Sequence, residues 1–473
     1  MNAKFYKWHR ILGLIALVPV ICWTISGMSH PFMSNWFRPY IPVEVYKEPA
    51  QSQLRVKLSI QQVLDTNHVV QLRNFRLVSF KDITYYQVLG TDSVYNYYNA
   101  TDGKPILNGD QQYAEWLARY FTRDSVSAIK AITLQKKFDG QYQPINHLLP
   151  VWKVSLNRTD GMDVYIETGQ SRMGTFNNDT RKWMLCFFEQ LHTWDFLAKA
   201  AGDTVRNVFL LCIVVVMFCS LVTGLTIYGL LWKKFKAAAK NRRTGNKNDK
   251  RFLHRYHRQI GLYVSFVMLT FFTSAGFHLF VKLRNNASEK PQFAQLFNRA
   301  DIKLFNLQLP VPDSTIKKIG LAKIDNKAYY QVSTTRKKIL YFDAVDGTEL
   351  KDGDQVFATY LSNYYRQAPV KGKVTVTQIR QFTNEYGFIN KRLPVQQVSY
   401  PGGENWYIET TTAKLATKVD GLDRTEGFSF IFLHKFFYMS WAGKDVRDIV
   451  SITAALGVLV VSLLGFASFL KNK

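Results

Sequence analysis

Four apolar stretches constrain this chain more than any other feature of its sequence: roughly 11–29, 208–231, 260–280 and 449–470. Each holds about 20 residues, enough for an α-helix rising about 1.5 Å per residue to cross a bilayer core of about 30 Å. None has Asp, Glu, Lys or Arg in its interior. A soluble domain can bury one such helix, but four of them place the chain in a membrane. The first stretch follows Lys4, Lys7 and Arg10, as a secretory signal would. Its apolar run is too long, and it ends in Met28-Ser29-His30-Pro31 with no small-residue cleavage site, so it reads as a retained helix.

The link between the second and third stretches, WKKFKAAAKNRRTGNKNDKRFLHRYHRQ, is short and crowded with Lys and Arg, and the chain ends in KNK. Short basic loops stay in the cytoplasm, so both termini are expected inside and two large segments, roughly 31–205 and 282–446, outside. The formal charge of +26, from 61 Lys and Arg against 35 Asp and Glu, is then largely topology. Nucleic acid is not an expected partner; membrane lipid is. Cys22, Cys212 and Cys219 fall in spanning stretches and Cys186 beside one, with no CxxC or CxxCH. A disulfide framework, covalent haem attachment and a cysteine-ligated cluster are therefore disfavoured.

The sequence is written twice. DITYYQV at 82–88 returns as KAYYQV at 327–332, and Asp102-Gly103 as Asp346-Gly347. LLPVWKVS at 148–155 answers RLPVQQVS at 392–399, and VYIETG at 164–169 answers WYIETT at 406–411. LHTWDF followed by GDTVRNV parallels LHKFFY followed by GKDVRDI. The offset stays between 241 and 248 residues throughout, which signals an internal parallel duplication. Alternating stretches closed by Asp-Gly and Pro-Gly-Gly turns predict small antiparallel sheets. Apolar residues at helical spacing predict helices over 58–66 and 111–121. The expected fold is thus a bundle of four transmembrane helices carrying two extracytoplasmic α+β modules, the halves related by an axis normal to the membrane.

Of nine histidines, six fall into repeat-related pairs: His9 with His257, His30 with His278, and His192 with His434. His9 and His30 are 21 residues apart, about 31 Å along a helix axis and on similar faces. His257 and His278 repeat that spacing. Gly13 and Gly261 follow the first member of each pair by four residues and free space on the same face, where a flat macrocycle could approach the backbone. Two neutral imidazoles on opposite sides of a haem iron fill its axial positions and suit electron transfer. The natural inner pair is His9 with His257. On the outer side His30 could face His278, or His192 and His434 could supply the ligands. All six remain candidate haem-iron ligands. For any one of them, an interfacial residue hydrogen-bonded to headgroups is the competing reading, and duplication can copy a structural residue. A single zinc or copper ion cannot be shared between groups so far apart.

WHRILGL and YHRQIGL, the YYQV…DG elements and the LH…G…VR approaches together resemble the PepSY-associated transmembrane family in its four-helix form, over nearly the whole chain. The resemblance implies PepSY-like modules over 31–204 and 282–445. Helices are then expected at 8–30, 205–232, 257–281 and 446–470, with a basic cytoplasmic loop at 233–256. In function the resemblance suggests bacterial haem-bearing ferric-siderophore reductases. That implies an inner-membrane protein with periplasmic modules and haem b, two per chain, passing electrons to a ferric siderophore or other ferric chelate. His9 and His257 match the family's helix-opening histidines, and His192 and His434 its Leu-His elements. No HExxH, GxSxG or GxGxxG is present, so the electron donor is expected to be a separate cytoplasmic protein or a membrane quinol. Trp116, Tyr120, Tyr329, Tyr330, Tyr364 and Tyr365 could stack on a chelator, and Lys371, Lys373, Arg380 and Lys391 could attract an anionic one. Core packing and an ordinary solvated face are the competing readings. The alternative function is a non-enzymatic, membrane-anchored module that binds a peptide or protein for regulation or assembly.

Overall fold

The computed structural model describes residues 2–44, 47–49, 54–243, 252–285, 291–303, 311, 315–336, 338–368 and 372–471. Lys371 and residues 244–251 of the basic loop lie outside the described residues. The chain divides into two compact units: a helical one of Met1–Arg38, Thr180–Ser288 and Leu422–Lys473, and a sheet-bearing one of Pro39–Asp179 and Glu289–Gly421.

In the helical unit, Lys4–Trp36, Asp203–Leu230, Phe252–Arg284 and Lys444–Leu470 are long and apolar enough to cross a membrane. Several hydroxyls within them bond back to the carbonyls of the preceding turn, which satisfies them inside the helix. Thr24 Oγ1 donates to the Val20 carbonyl at 2.7 Å and Ser26 Oγ to that of Cys22 at 2.6 Å. The first and third spanning helices each pack against the second and the fourth, which places them diagonally across the bundle. Ala16, Val20, Leu210, Val214, Met217 and Val458 form the interior. Val18, Val215, Tyr263 and Phe266 point outward, as a lipid-facing surface requires.

The expected module boundaries fell at 31–204 and 282–445, yet 180–202 and 422–443 belong to the helical unit. These stretches are themselves helical: Asp179–Phe188 and Gly421–Ser429 each run into a single π turn, Glu189–Thr193 and Phe430–His434.

The sheet unit shows the same element order twice. The first set begins with β1 (Gln71–Leu72), β2 (Asn74–Phe80), β3 (Ile83–Leu89) and β4 (Tyr95–Asn99). The helix Gly109–Thr122 follows, then β5 (Ile129–Gln135), β6 (Val151–Leu156), β7 (Asp163–Glu167) and β8 (Arg172–Asn177). The second set has β9 (Phe297–Asn298), β10 (Ile316–Ile324), β11 (Lys327–Thr334) and β12 (Ile339–Asp343). Its helix is Gly353–Arg366, and β13 (Thr375–Ile379), β14 (Val395–Tyr400), β15 (Glu404–Glu409) and β16 (Lys414–Val419) complete it. Each set gives a three-stranded and a four-stranded antiparallel sheet in simple meander order, and β1 pairs with β9 across the two sets. The YYQV stretches are the central strands β3 and β11. The helix expected over 58–66 runs from Ile60 to Thr66, because Ser59 and Gln62 close a capping box at its start.

The two sets share a core. Leu72, Phe75, Tyr86, Phe297, Tyr330 and Phe342 pack in one cluster. Each set also repeats a buried relay at the start of its helix. Gln87 Nε2 donates to Tyr97 Oη (2.5 Å), whose hydroxyl donates to Asp110 Oδ1 (2.8 Å). Gln331, Tyr341 and Asp354 repeat it at 2.5 and 2.9 Å. Burial pushes both aspartates above the ordinary carboxylate range, against the pull of their hydrogen-bond donors. Trp116 and Tyr120 stack in line with Tyr113 against a separate core of the first set, with Val78, Phe80 and Phe121.

Candidate functional site

The six repeat-related histidines all lie in the helical unit, at two levels. Nearer the chain termini, His9 of the first spanning helix and His257 of the third meet across the diagonal of the bundle. Their ring centroids are 6.2 Å apart. Each is anchored by the next helix: His9 Nδ1 lies 2.9 Å from the Ser220 carbonyl oxygen, and His257 Nδ1 2.9 Å from that of Val461. Ser220 and Val461 stand 241 residues apart, so the repeat preserves the anchor although the residue type changes. A carbonyl only accepts, so Nδ1 carries the proton in both rings and Nε2 keeps its lone pair.

The glycines that make room for these rings are Gly224 and Gly465. A Cβ at Gly224 would lie 2.9 Å from Cε1 of His9, and one at Gly465 would lie 2.9 Å from Cε1 of His257. Gly13 and Gly261 face the adjacent helix instead, where a Cβ would make ordinary contact with Ser220 Oγ at 3.8 Å and Val461 Cγ1 at 3.7 Å.

At the other level, each repeat builds the same cluster. The π turns deliver His192 and His434. This wide turn, rare and common at functional sites, is what lets each helix end with its histidine turned back on a spanning helix. Phe188 stacks on His192 with centroids 4.5 Å apart and touches His30 at 5.7 Å. Phe430 stacks on His434 at 5.0 Å and touches His278 at 5.3 Å. Ser26 Oγ lies 3.1 Å from His192 Nδ1. The repeat equivalents, Ser274 Oγ and His434 Nδ1, are both buried without a hydrogen-bond partner. His434 lies within electrostatic reach of His192, His278 and His30, so the cluster draws on both repeats. Phe188, Phe430, Ser26 and Ser274 were legible only as repeated letters without a chemical role.

A family model described as PepSY-associated TM region matches residues 110–471. The chain belongs to this family. No curated protein matches the sequence.

The donor set of this PepSY-associated TM protein fits haem. Among the described residues no group of three or more His, Cys, Asp or Glu could hold a metal ion. Paired imidazoles suit an iron whose remaining four positions are filled by a macrocycle. His9 and His257, whose ring centroids are 6.2 Å apart, are the residues that would hold such a group here. The orphaned Nδ1 of His434 shows a polar ring built into the other level without a protein partner for that atom. Lys391, considered for an anionic ligand, donates instead to Asn146 Oδ1 and the Gly174 carbonyl inside the sheet unit.

Proposed function

We propose that this membrane protein carries electrons across the bacterial inner membrane through haem b. His9 and His257 hold one group, and the cluster of His30, His192, His278 and His434 holds a second. The observation that carries this reading is the pair of imidazoles meeting across the bundle, each with Nδ1 tied to a backbone carbonyl and Nε2 left as a ligand. Haem iron bound by two imidazoles supplies one-electron transfer without an open coordination site.

The substrate is a ferric chelate of the siderophore class on the periplasmic face. The reductant is a cytoplasmic donor or a membrane quinol. Each electron taken from it converts one Fe(III) to Fe(II), which hard oxygen ligands hold less tightly. The residues themselves do the positioning. Ser220 and Val461 fix tautomer and ring direction, Gly224 and Gly465 admit the rings, and Phe188 and Phe430 buttress the second level. His192 sits at the depth of Ser26, 17 residues from His9, or about 26 Å along the helix. That narrows the separation of about 31 Å set by His9 and His30.

The basic loop and tail support a reading with both termini in the cytoplasm. The doubled element order of the sheet unit supports descent from a duplicated half, with PepSY-like modules in the periplasm. The absorbance spectrum of purified protein tests the reading. Reduced b-type bands are expected, with loss of Soret intensity in His9→Ala and His257→Ala. A colourless preparation from haem-replete cells refutes it and favours a non-enzymatic module that binds a peptide or protein.

A further inference from the structure

His30 and His278 occupy the same place in the two repeats, yet opposite charges meet them. His278 Nδ1 lies 2.5 Å from Glu426 Oε1. A carboxylate oxygen accepts, so the ring nitrogen donates and Nε2 is left bare. His30 Nδ1 has Ser34 Oγ at 3.5 Å. Its charged neighbours are cations, Lys435 and Lys444, and Lys444 Nζ is fixed beside it by the Ser34 carbonyl at 3.1 Å.

The sequence accounts for the difference position by position. At the repeat offset, Met184 stands where Glu426 does and Asp203 where Lys444 does. Lys282 is also within reach of Glu426 and Asp203, and Arg206 pairs with Asp203 at 2.8 Å. The group bonded to the His278 ring is nonetheless the carboxylate.

We propose that Glu426 is a positioning residue for His278, one that gives the second repeat's imidazole anionic character and makes it a stronger donor than His30 to an iron it would hold. This rests on the haem reading above and adds an assignment within it. A carboxylate on Nδ1 fixes the ring and raises its basicity as a ligand. Negative charge near iron favours the ferric state, and the cations beside His30 act the other way. An iron site ligated by His278 is therefore harder to reduce than the same ligation without Glu426.

The test uses the full-length protein purified with haem bound, as wild type, Glu426→Gln and Glu426→Asp, in a reductive titration followed through the visible bands. The amide keeps the shape of the side chain and removes its charge. The midpoint of the site holding His278 is expected to rise in Glu426→Gln by at least a tenfold change in the ferrous-to-ferric ratio, 59 mV for a one-electron couple. Its low-spin ferric resonance should shift with it, while Glu426→Asp stays near wild type. Unchanged midpoints in Glu426→Gln at full haem content overturn this proposal and leave the haem reading standing. Wild-type protein without a Soret band overturns both. Where the amide variant loses haem, Glu426→Asp decides: full haem with a wild-type midpoint supports the carboxylate's role, and a loss equal to the amide's overturns it.

Discussion

Arg172 of the first element set grips Glu409 of the second with two parallel hydrogen bonds, Nη1 to Oε1 at 2.7 Å and Nη2 to Oε2 at 3.1 Å. The same guanidinium bonds Glu167 through Nε at 2.5 Å, and Arg392 Nη1 reaches Glu409 Oε2 at 2.5 Å. Arg172 is 6% exposed and Glu409 1%. At that burial, removing one partner strands a charge and costs about 3–5 kcal/mol. Arg172→Met is therefore expected to destabilise the sheet unit by about that amount, measured by urea unfolding of the detergent-solubilised full-length protein. A change within about 0.5 kcal/mol, the usual range of surface substitutions, would show that the network is not what joins the two sets.

Acid should release this network at a definable point. Burial alone would raise Glu167 and Glu409. The Arg172 and Arg392 guanidinium groups outweigh it and hold both below the ordinary carboxylate range. A depressed folded value contributes stability that is whole above the unfolded value of about 4.3 and drains away as pH falls from there through the folded values. Asp110 and Asp354 run the other way. Burial raises them, so their charged forms cost stability near neutrality and falling pH relieves that cost. Unfolding free energy is thus expected to hold or rise slightly from pH 7 to 5 and to fall below about pH 4.3. The fall should be shallower in Glu409→Gln, and a wild-type slope in that variant would refute the assignment.

The four helices and the paired strands were legible because their signals are local: apolar length for the spans, alternation and turn residues for β3 and β11. The recurrence of the letters around His9 and His257 marked them as a pair, and their rings lie 6.2 Å apart. Periodicity carries no information on which helix supplies the anchor for a ring, so Gly224 and Gly465 went unseen although they recur at the repeat offset. Gly13 and Gly261 were visible because they are neighbours in sequence. Glu426 carried no signal at all: its counterpart is Met184, and a reading that trusts repetition passes over what only one half contains. The π turns at Glu189–Thr193 and Phe430–His434 were hidden for another reason. They differ from an α-helix by one residue of hydrogen-bond register, which composition does not encode.

Gly109 and Gly353 open the paired helices of the sheet unit against tyrosine rings. A Cβ at Gly109 would lie 2.6 Å from Tyr97 Cβ, and one at Gly353 would lie 2.7 Å from Tyr341 Cβ. Those tyrosines are pinned by Asp110 and Asp354, so the rings have nowhere to go. Gly109→Ala and Gly353→Ala are each expected to cost about 1–3 kcal/mol, the usual penalty for overpacking a core. Gly229→Ala is the control, since nothing lies within 4 Å of its added Cβ. Equal unfolding midpoints for all three variants would remove the overpacking argument.

The sharpest separation within the candidate site is between two kinds of glycine. At Gly224 and Gly465 a methyl group would meet Cε1 of His9 and of His257 at 2.9 Å in both cases, closer than carbon atoms approach without one giving way. Each ring is held by its Nδ1 bond to a backbone carbonyl, so yielding means breaking the bond that fixes the tautomer. At Gly13 and Gly261 the same methyl group meets its neighbour at 3.8 and 3.7 Å and moves nothing. On the haem reading proposed above, Gly224→Ala and Gly465→Ala are therefore expected to lower the haem-to-protein ratio several-fold, while Gly13→Ala and Gly261→Ala stay near wild type. Pyridine haemochrome absorbance measures the ratio, and the unfolding midpoint shows whether the bundle is intact. Full haem in Gly224→Ala alongside loss in Gly13→Ala would reverse the assignment. It would favour the reading in which Gly13 and Gly261, rather than Gly224 and Gly465, leave the room that a bound ring needs.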